Sequence, residues 1–227
     1  MKLHVLPISS YAQKTLMAFY EMGVAFERIL VDVLDPVESA AFRRLTPLGK
    51  NPLLELADGR RIVESSIIIE YVDRHENKGR RLIPDDPEAA LEVRLRDRFA
   101  DLYFNTPMSK LAQDPRLPEG ENDPRGVRLA KATLDTMFAL TDGDLAHRAW
   151  IAGEAFSMAD CAMAPALSYL REIRSFDAYP NLAAYAARLL ARPSYARVSA
   201  EAAPFMRMLA GATPPPAPSP PPSPPRR

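Results

Sequence analysis

The chain has 227 residues, 47% of them hydrophobic and 26% charged, with 29 basic and 29 acidic side chains. This length suits one large domain or two small ones. The balanced charge gives no electrostatic reason for binding nucleic acid or an anionic membrane. One cysteine rules out an internal disulfide and a Cys-x-x-Cys redox motif, and three scattered histidines argue against a tetrahedral metal site.

Apolar runs in the chain are too short to span a membrane, and its first residues lack the pattern of a signal peptide. We therefore expect a soluble, cytoplasmic protein. Its partners should be a small molecule or another protein, not nucleic acid or a membrane, and we expect no metal cofactor.

The first 75 residues alternate between strand and helix patterns. Ser9 and Ser10 are suited to cap the first helix, Gly23 to end it and Pro36 to open the second. In chain order the patterns predict a strand at 2–6, a helix at 11–22, a strand at 26–33, a helix at 36–45, a hairpin over 53–63 and a helix at 65–75. This order fits a small mixed sheet flanked by helices.

Strand patterns disappear in the second half of the chain. Apolar residues at helical spacing predict helices at 88–104, with a bend near Pro107, and at 125–145, 159–171, 182–190 and 195–206. Ser157 and Asp160 form a capping box at the start of one of them. Cys161 follows on an apolar stripe, where we expect it to be a buried small hydrophobe.

These patterns divide the chain into four segments. They are a mixed domain at 1–76, a linker at 77–87, an all-helical domain at 88–210 and a proline-rich tail at 211–227. Proline fixes φ and lacks a backbone donor, so we expect the tail to be disordered with polyproline II character. Its PxxP sequence with a following Arg, at 221–226, fits a low-complexity extension better than a docking motif.

Three widely separated segments carry more specific patterns. They are Pro-Ile-Ser-Ser-Tyr at 7–11, Thr-Pro-Leu-Gly-Lys-Asn-Pro-Leu at 46–53 followed by Glu-Ser at 64–65, and Trp-Ile-Ala-Gly-Glu-Ala-Phe-Ser-Met-Ala-Asp at 150–160. Together they resemble the cytosolic glutathione S-transferase superfamily over residues 1 to about 205. The resemblance implies an α+β fold, with an N-terminal thioredoxin-like βαβ-ββα domain and a C-terminal all-α domain. It also implies glutathione as co-substrate and a homodimer.

The resemblance places a catalytic hydroxyl before the first helix. Lowering a thiol pKa from 8.5 to about 6.5 requires about 2.7 kcal/mol, which a donating hydroxyl and the positive helix end can help to supply. Aligning Gly23 with the family's glycine puts Ser9 on the catalytic serine of the serine-type classes, such as theta and zeta. Ser10 is the alternative, one residue away. A simple helix cap is the competing interpretation of both serines.

The resemblance also implies glutathione-binding residues. Pro52 would be the family's cis-proline, and the backbone of Asn51, the residue before it, would pair with the cysteinyl backbone of glutathione. The family usually has Val before this proline, but the contact is a main-chain one. Lys50 would reach the glycyl carboxylate, Ser65 at a helix N-terminus the γ-glutamyl carboxylate, and Glu64 the amino group. A solvated lysine and an ordinary helix cap are the alternatives.

The second substrate should lie against the helical half. Tyr11, Tyr103 and Met108 are candidates for its pocket, although a core stripe is the more frequent meaning of such residues. The neighbouring charges are interpreted as a solvated helix face with i,i+4 pairs, in a region where family members commonly dimerise. These charges are Glu92, Arg94, Arg96, Asp97, Arg98 and Asp101.

We predict a glutathione transferase that activates the thiol through a serine hydroxyl and conjugates it to a small, mostly apolar electrophile. The absence of cysteine from positions 7–12 argues against the cysteine-type transferases. Two alternatives stay open, because a fold does not determine a function. One is a non-catalytic transferase-like module that binds a protein, and the other is a glutathione-dependent isomerase or dehalogenase.

Overall fold

A computed structural model of the protein describes residues 1–33 and 35–211. The predicted disordered tail lies outside the described residues, apart from Gly211, which ends the last helix. Within the described ranges, none of the helices combines the length and apolarity that a bilayer span requires.

The N-terminal half is built around a four-stranded sheet with the order β2-β1-β3-β4. Strand β1 pairs in parallel with β2 and antiparallel with β3, and β3 pairs antiparallel with β4. The elements are β1 Lys2–Val5, α1 Ser10–Glu21, β2 Glu27–Leu30, α2 Pro36–Leu45, β3 Leu53–Glu55, β4 Arg61–Val63 and α3 Ser65–His75. The predicted mixed sheet with flanking helices is therefore confirmed.

Strand β2 is shorter than the predicted 26–33. It is an edge strand, so its length is set by its one neighbour β1, and the two pair from Lys2 opposite Glu27 to Val5 opposite Leu30. The local signals around α1 act as predicted. Gly23 follows the helix with φ +65°, a conformation that favours glycine.

In the described part of the C-terminal half the regular elements are all helical, as predicted, apart from an isolated β-bridge between Trp150 and Gly153. Its elements are α4 Pro87–Phe99, a π-helical turn at Ala100–Asn105, α5 Thr106–Gln113, a 3-10 turn at Asp114–Arg116, α6 Pro124–Leu145, α7 Met158–Ile173, α8 Pro180–Leu190 and α9 Pro193–Gly211. The predicted capping box at Ser157 and Asp160 is present at the start of α7. Cys161 is fully buried, and burial raises the pKa of its thiol well above the ordinary value.

The π-helical turn replaces the simple bend predicted near Pro107. Proline has no N–H to donate and its ring clashes with the carbonyl four residues earlier, so an α-helix cannot continue through it unchanged. The chain widens instead, and the N–H of Thr106 donates to the carbonyl of Asp101, five residues back. The Thr106 hydroxyl donates to the same carbonyl at 3.1 Å.

One hydrophobic core runs through both halves. Helix α1 is central to it, because it packs against α3 of its own half and against α7 and α9 of the helical half. Polar contacts reinforce the α9 contact, since Glu21 of α1 accepts hydrogen bonds from Ser194 of α9 and, at 2.7 and 2.8 Å, from Arg192 just before that helix. The core therefore fixes the first turn of α1 relative to both halves.

Candidate active site

Two cavities are both lined by Tyr11, in the first turn of α1. The smaller one, about 160 Å³, lies between the loop before β3, the start of α3 and the π-helical turn. The larger one, about 790 Å³, lies between the first turn of α1 and helices α5, α7 and α9. A small polar compartment thus lies beside a larger one whose walls come mainly from the helical half.

The loop before β3 has the predicted cis bond between Asn51 and Pro52. Asn51 and Pro52 both line the smaller cavity, together with Lys50. The Asn51 side chain accepts a hydrogen bond from the N–H of Leu6 at 3.1 Å, which ties this loop to the end of β1. The departure from the family's usual valine therefore supplies a contact that a valine side chain could not make.

Gly49 gives this loop its shape. Its φ is +61°, and an added Cβ would lie 2.9 Å from the guanidinium carbon of Arg43. The backbone conformation favours glycine, whereas the exposed Arg43 side chain could move away from a Cβ. This residue therefore helps to place Lys50 and Asn51 at the cavity.

Glu64 and Ser65 face the same cavity from the start of α3. Glu64 has φ +71°, an unfavourable conformation for a residue with a side chain, and its carboxylate makes no capping hydrogen bond to α3. Ser65 is 4% exposed and begins the helix. The absence of a side-chain cap at Glu64 argues against the ordinary-cap alternative for this residue.

Ser9 and Ser10 border the larger cavity, not the smaller one. Ser9 is the N-cap of α1, and its hydroxyl oxygen accepts from the N–H of Ala12 at 3.4 Å. That cap uses a lone pair, so the hydroxyl proton stays available to donate. Ser10 is the first residue of the helix and is buried.

The three residues predicted for the second-substrate pocket are not all brought together. Tyr11 and Met108 line the larger cavity. Tyr103 lines neither cavity; it is 42% exposed and packs edge-on against Phe99, with ring centroids 5.5 Å apart. The π-helical turn separates Tyr103 from Met108 and changes the helical register on which their shared face depended.

Sequence reasoning missed several residues of the larger cavity. Tyr169 of α7 lies there; its hydroxyl donates to the carbonyl of Ile8 at 2.8 Å and accepts from Gln13 Nε2 at 2.9 Å. Met206 and Leu209 of α9 line the cavity as well. No local pattern distinguishes these residues from ordinary core positions, because they reach the cavity only through the packing of α7 and α9 on α1.

A buried charge cluster behind the smaller cavity corrects the prediction of a solvated helix face. Asp97 and Asp101 are 1% and 5% exposed, and both face Lys14 of α1, which is fully buried. The Lys14 ammonium lies 2.6 Å from Asp97 Oδ1, 3.0 Å from Asp101 Oδ2 and 2.8 Å from Ser66 Oγ. A lysine at a core position of α1 was the signal that could have revealed the cluster.

Asp101 connects this cluster to the site, because it also lines the smaller cavity. Burial raises the pKa of the Asp101 carboxyl, and the Lys14 ammonium opposes that rise. The other charges of the predicted face do form the expected pairs, such as Arg96 with Glu92 at 2.8 Å, although the Arg96 side chain is only 11% exposed. In the part of the chain that the structure describes, no group of three or more His, Cys, Asp or Glu residues is arranged to hold a metal ion.

The comparisons with known proteins agree with this geometry. Residues 8–75 match the family model for the N-terminal domain of glutathione S-transferases, and residues 100–193 match the model for the C-terminal domain. Glutathione S-transferase F12 of Arabidopsis thaliana is 30% identical, over 78% of this chain and 84% of that protein. Glutathione S-transferase hmp2 of Hypomyces subiculosus is 29% identical, over 83% and 93%.

A solved structure extends the likeness to three dimensions. The glutathione S-transferase of Methylobacillus flagellatus, crystallised with glutathione bound, superposes with a TM-score of 0.80 at 31% identity, covering 87% of this chain and 98% of that one. The family models, the sequence relatives and the solved structure therefore all indicate the same family, and they do so for both halves of the chain. The chain belongs to the glutathione S-transferase superfamily.

Proposed function

We propose that this glutathione transferase holds glutathione in the smaller cavity, activates its thiol through Ser9 and conjugates it to a small, mostly apolar electrophile in the larger cavity. The observation that carries the proposal is that Tyr11, in the first turn of α1, lines both cavities. A tripeptide thiol bound in one compartment would present its sulfur to an electrophile in the other.

The smaller cavity offers a group for each end of glutathione. Asn51 would pair through its backbone with the cysteinyl residue, and Lys50 would meet the glycyl carboxylate. The N–H and hydroxyl of Ser65 at the start of α3 would hold the γ-glutamyl carboxylate, with Glu64 near the amino group. The glutathione bound in the relative from Methylobacillus flagellatus supports glutathione as the ligand.

Ser9 is the hydroxyl that we assign to thiol activation. Its oxygen accepts the capping hydrogen bond from Ala12, so its proton is free to be donated to the sulfur. The positive end of α1 favours the thiolate further, by about 0.3–1 kcal/mol. The thiolate then attacks the electrophilic carbon and forms the C–S bond. This serine chemistry is the reason for our proposal that the theta and zeta classes are nearest.

The larger cavity suits an apolar second substrate. Tyr11, Met108, Ile173 and Met206 contribute apolar surface to it. An isomerase or dehalogenase would use the same thiolate and the same two compartments. Conjugation is preferred because it requires nothing beyond the thiolate and an open pocket for the electrophile.

We also propose that two copies associate through the face formed by α3, α4 and their neighbours. Ile67, Leu91 and Leu95 are 55%, 60% and 43% exposed there, and Leu91 and Leu95 lie one turn apart on α4. Arg94 and Glu70 link the two helices with a 2.7 Å ion pair. Burying such apolar side chains in a second copy would supply the driving force for a homodimer.

Calorimetric binding of glutathione, together with the ultraviolet absorbance of its thiolate across pH, tests the function. Wild type should bind glutathione and lower its thiol pKa, and Ser9→Ala should bind it but leave that pKa near its free value. Ser9→Thr keeps both hydroxyl and cap, and Ser10→Ala tests the neighbouring serine. If wild type does not bind glutathione, the transferase function fails and the protein-binding module becomes the leading candidate.

A further inference from the structure

The short segment between β1 and α1 carries Ser9 but belongs to neither element. Backbone carbonyls outside strands and helices have no regular partner, so their hydrogen bonds must come from elsewhere. Each carbonyl of this segment nevertheless accepts one. The carbonyl of Leu6 accepts from the N–H of Ser9 and that of Ser9 from the N–H of Gln13, both at 2.9 Å. The carbonyls of Pro7 and Ile8 are held by side chains instead.

Gln13 and Tyr169 supply those two side-chain donors. Gln13 Nε2 donates to the carbonyl of Pro7 at 2.9 Å, and the Tyr169 hydroxyl donates to the carbonyl of Ile8 at 2.8 Å. Gln13 Nε2 also donates to the Tyr169 oxygen at 2.9 Å, so the two side chains hold each other. Burial raises the pKa of Tyr169, so its hydroxyl keeps the proton that it donates. A buried polar network with satisfied partners is rigid.

The peptide group before Ser9 is thereby fixed at both of its polar atoms. Its N–H donates to the carbonyl of Leu6, and its carbonyl, that of Ile8, accepts from Tyr169. The Ser9 hydroxyl itself makes a long contact, 3.4 Å from the N–H of Ala12. A serine side chain turns about a single χ angle, so the orientation of the backbone before it decides where the hydroxyl can reach.

We propose that Tyr169 is a positioning residue for thiol activation, and that Gln13 supports it. By holding the carbonyl of Ile8, Tyr169 keeps the Ser9 hydroxyl directed at the sulfur of glutathione. The inference rests on the proposed function, because it requires Ser9 to be the activating hydroxyl. Misplacing a reacting group by about 1 Å can lower a rate by about 10²-fold.

The proposal connects the two halves of the protein. Tyr169 belongs to α7 of the helical half and lies 161 residues from Ile8 along the chain. It also lines the larger cavity, where the electrophile would bind. The half that would bind the electrophile therefore also sets the direction of the group that would activate the thiol.

The test compares wild type, Ser9→Ala and Tyr169→Phe, with Tyr20→Phe as the matched control. The Tyr20 hydroxyl donates to Glu201 of α9 at 2.8 Å, so its loss also removes a phenol hydrogen bond between α1 and the helical half. That bond lies at the opposite end of α1 from Ser9. The control therefore reports any general loosening between the halves.

The first readout is the ultraviolet absorbance of the bound glutathione thiolate across pH, without an electrophile. Tyr169→Phe should raise the thiol pKa toward its value in Ser9→Ala, and Gln13→Met should raise it in the same direction. Tyr20→Phe should leave it unchanged. Calorimetric affinity, measured where the thiol is protonated in every variant, should stay at the wild-type value, because Tyr169 does not line the smaller cavity.

The second readout is the pH profile of benzyl chloride conjugation. A rise of about one unit in the thiol pKa lowers the thiolate fraction roughly tenfold below that pKa, so Tyr169→Phe should lose about that much rate near pH 6.5. The loss should shrink above about pH 9, where glutathione ionises without help. A residue that only lined the pocket would instead raise KM for benzyl chloride at every pH.

A wild-type thiol pKa in Tyr169→Phe would overturn the proposal, and Gln13→Met applies the same criterion if Tyr169→Phe does not fold. Equal rises in Tyr169→Phe and Tyr20→Phe would overturn it too, because the cause would then be loosening of the two halves. A wild type that does not bind glutathione, or a wild-type thiol pKa in Ser9→Ala, would refute the proposed function itself, whatever Tyr169→Phe does.

Discussion

The ammonium nitrogen of Lys14 lies 2.6 Å from Oδ1 of Asp97, although the two residues belong to different halves of the protein and are both buried. Buried charges are unfavourable unless they are paired. Lys14 also lies 3.0 Å from Asp101, which borders the smaller cavity. The cluster therefore makes the placement of a cavity residue depend on the contact between the two halves.

Lys14→Met should destabilise the protein by about 3–5 kcal/mol, because it leaves two buried carboxylates without their cation. Lys2→Met is the matched control. Lys2 is half exposed and lies 3.9 Å from Glu55, so its loss should cost less than about 1 kcal/mol. Denaturant unfolding measures both. Equal effects of the two substitutions would show that the buried cluster does not hold the halves together.

Glu21 should make stability depend on acid pH. Burial alone would raise its pKa, but hydrogen bonds from Arg192 and Ser194 outweigh burial and lower the pKa below the ordinary 4.5. A carboxyl whose pKa is lowered by folding stabilises the protein above its unfolded pKa, and this contribution disappears as the pH falls through the folded pKa. Unfolding of Glu21→Gln should therefore differ from wild type at pH 7 and converge with it well below 4.5.

The exposed Glu119 supplies the control for that measurement, since Glu119→Gln should follow wild type across the same pH range. A constant difference between Glu21→Gln and wild type at every pH would contradict the titration of Glu21. In that case the effect would come from packing between α1 and α9.

Asn51→Val restores the family's usual residue before the cis-proline. It removes the 3.1 Å hydrogen bond from the N–H of Leu6, so we expect a loss of about 0.5–1.5 kcal/mol in the free energy of unfolding. Glutathione affinity should stay close to that of wild type, because the proposed contact is with the backbone. Asn51→Asp keeps an acceptor and should retain stability. A large loss of affinity in Asn51→Val would instead give the side chain a direct role in binding.

Glu64 should lower the stability of the fold while contributing to glutathione binding. Its φ of +71° is unfavourable for a residue with a side chain. Glu64→Gly removes the backbone strain, which stabilises the folded state, but glycine also has more freedom in the unfolded chain, which offsets part of the gain. The net result should be a rise of about 1 kcal/mol in the free energy of unfolding. Glu64→Gln keeps the strain and loses the charge. Both should weaken glutathione binding roughly tenfold. Calorimetry measures glutathione binding and denaturant unfolding measures stability on the same samples. If binding is unchanged in both variants, Glu64 has a role only in the turn before α3.

The sequence by itself determined the elements whose causes are local. The capping box at Ser157 and Asp160, the proline at the start of α2 and Gly23 after α1 each act within a few residues of the chain. Local patterns of this kind predicted the order of strands and helices and the division into two halves, and the segments at 7–11, 46–53 with 64–65, and 150–160 carried the resemblance to the superfamily. They also identified the cis-proline loop and the start of α3 as the walls of one site.

The tertiary structure decided what depends on residues far apart in the chain. Asn51 reaches Leu6 across 45 residues, and Lys14 reaches Asp101 across 87. The π-helical turn changed the helical register at Tyr103, so that this residue does not line the larger cavity with Met108. Tyr11 came to border both cavities only because the two halves pack together on α1. Such pairings depend on where the whole core places each element, and local spacing carries no information about that placement.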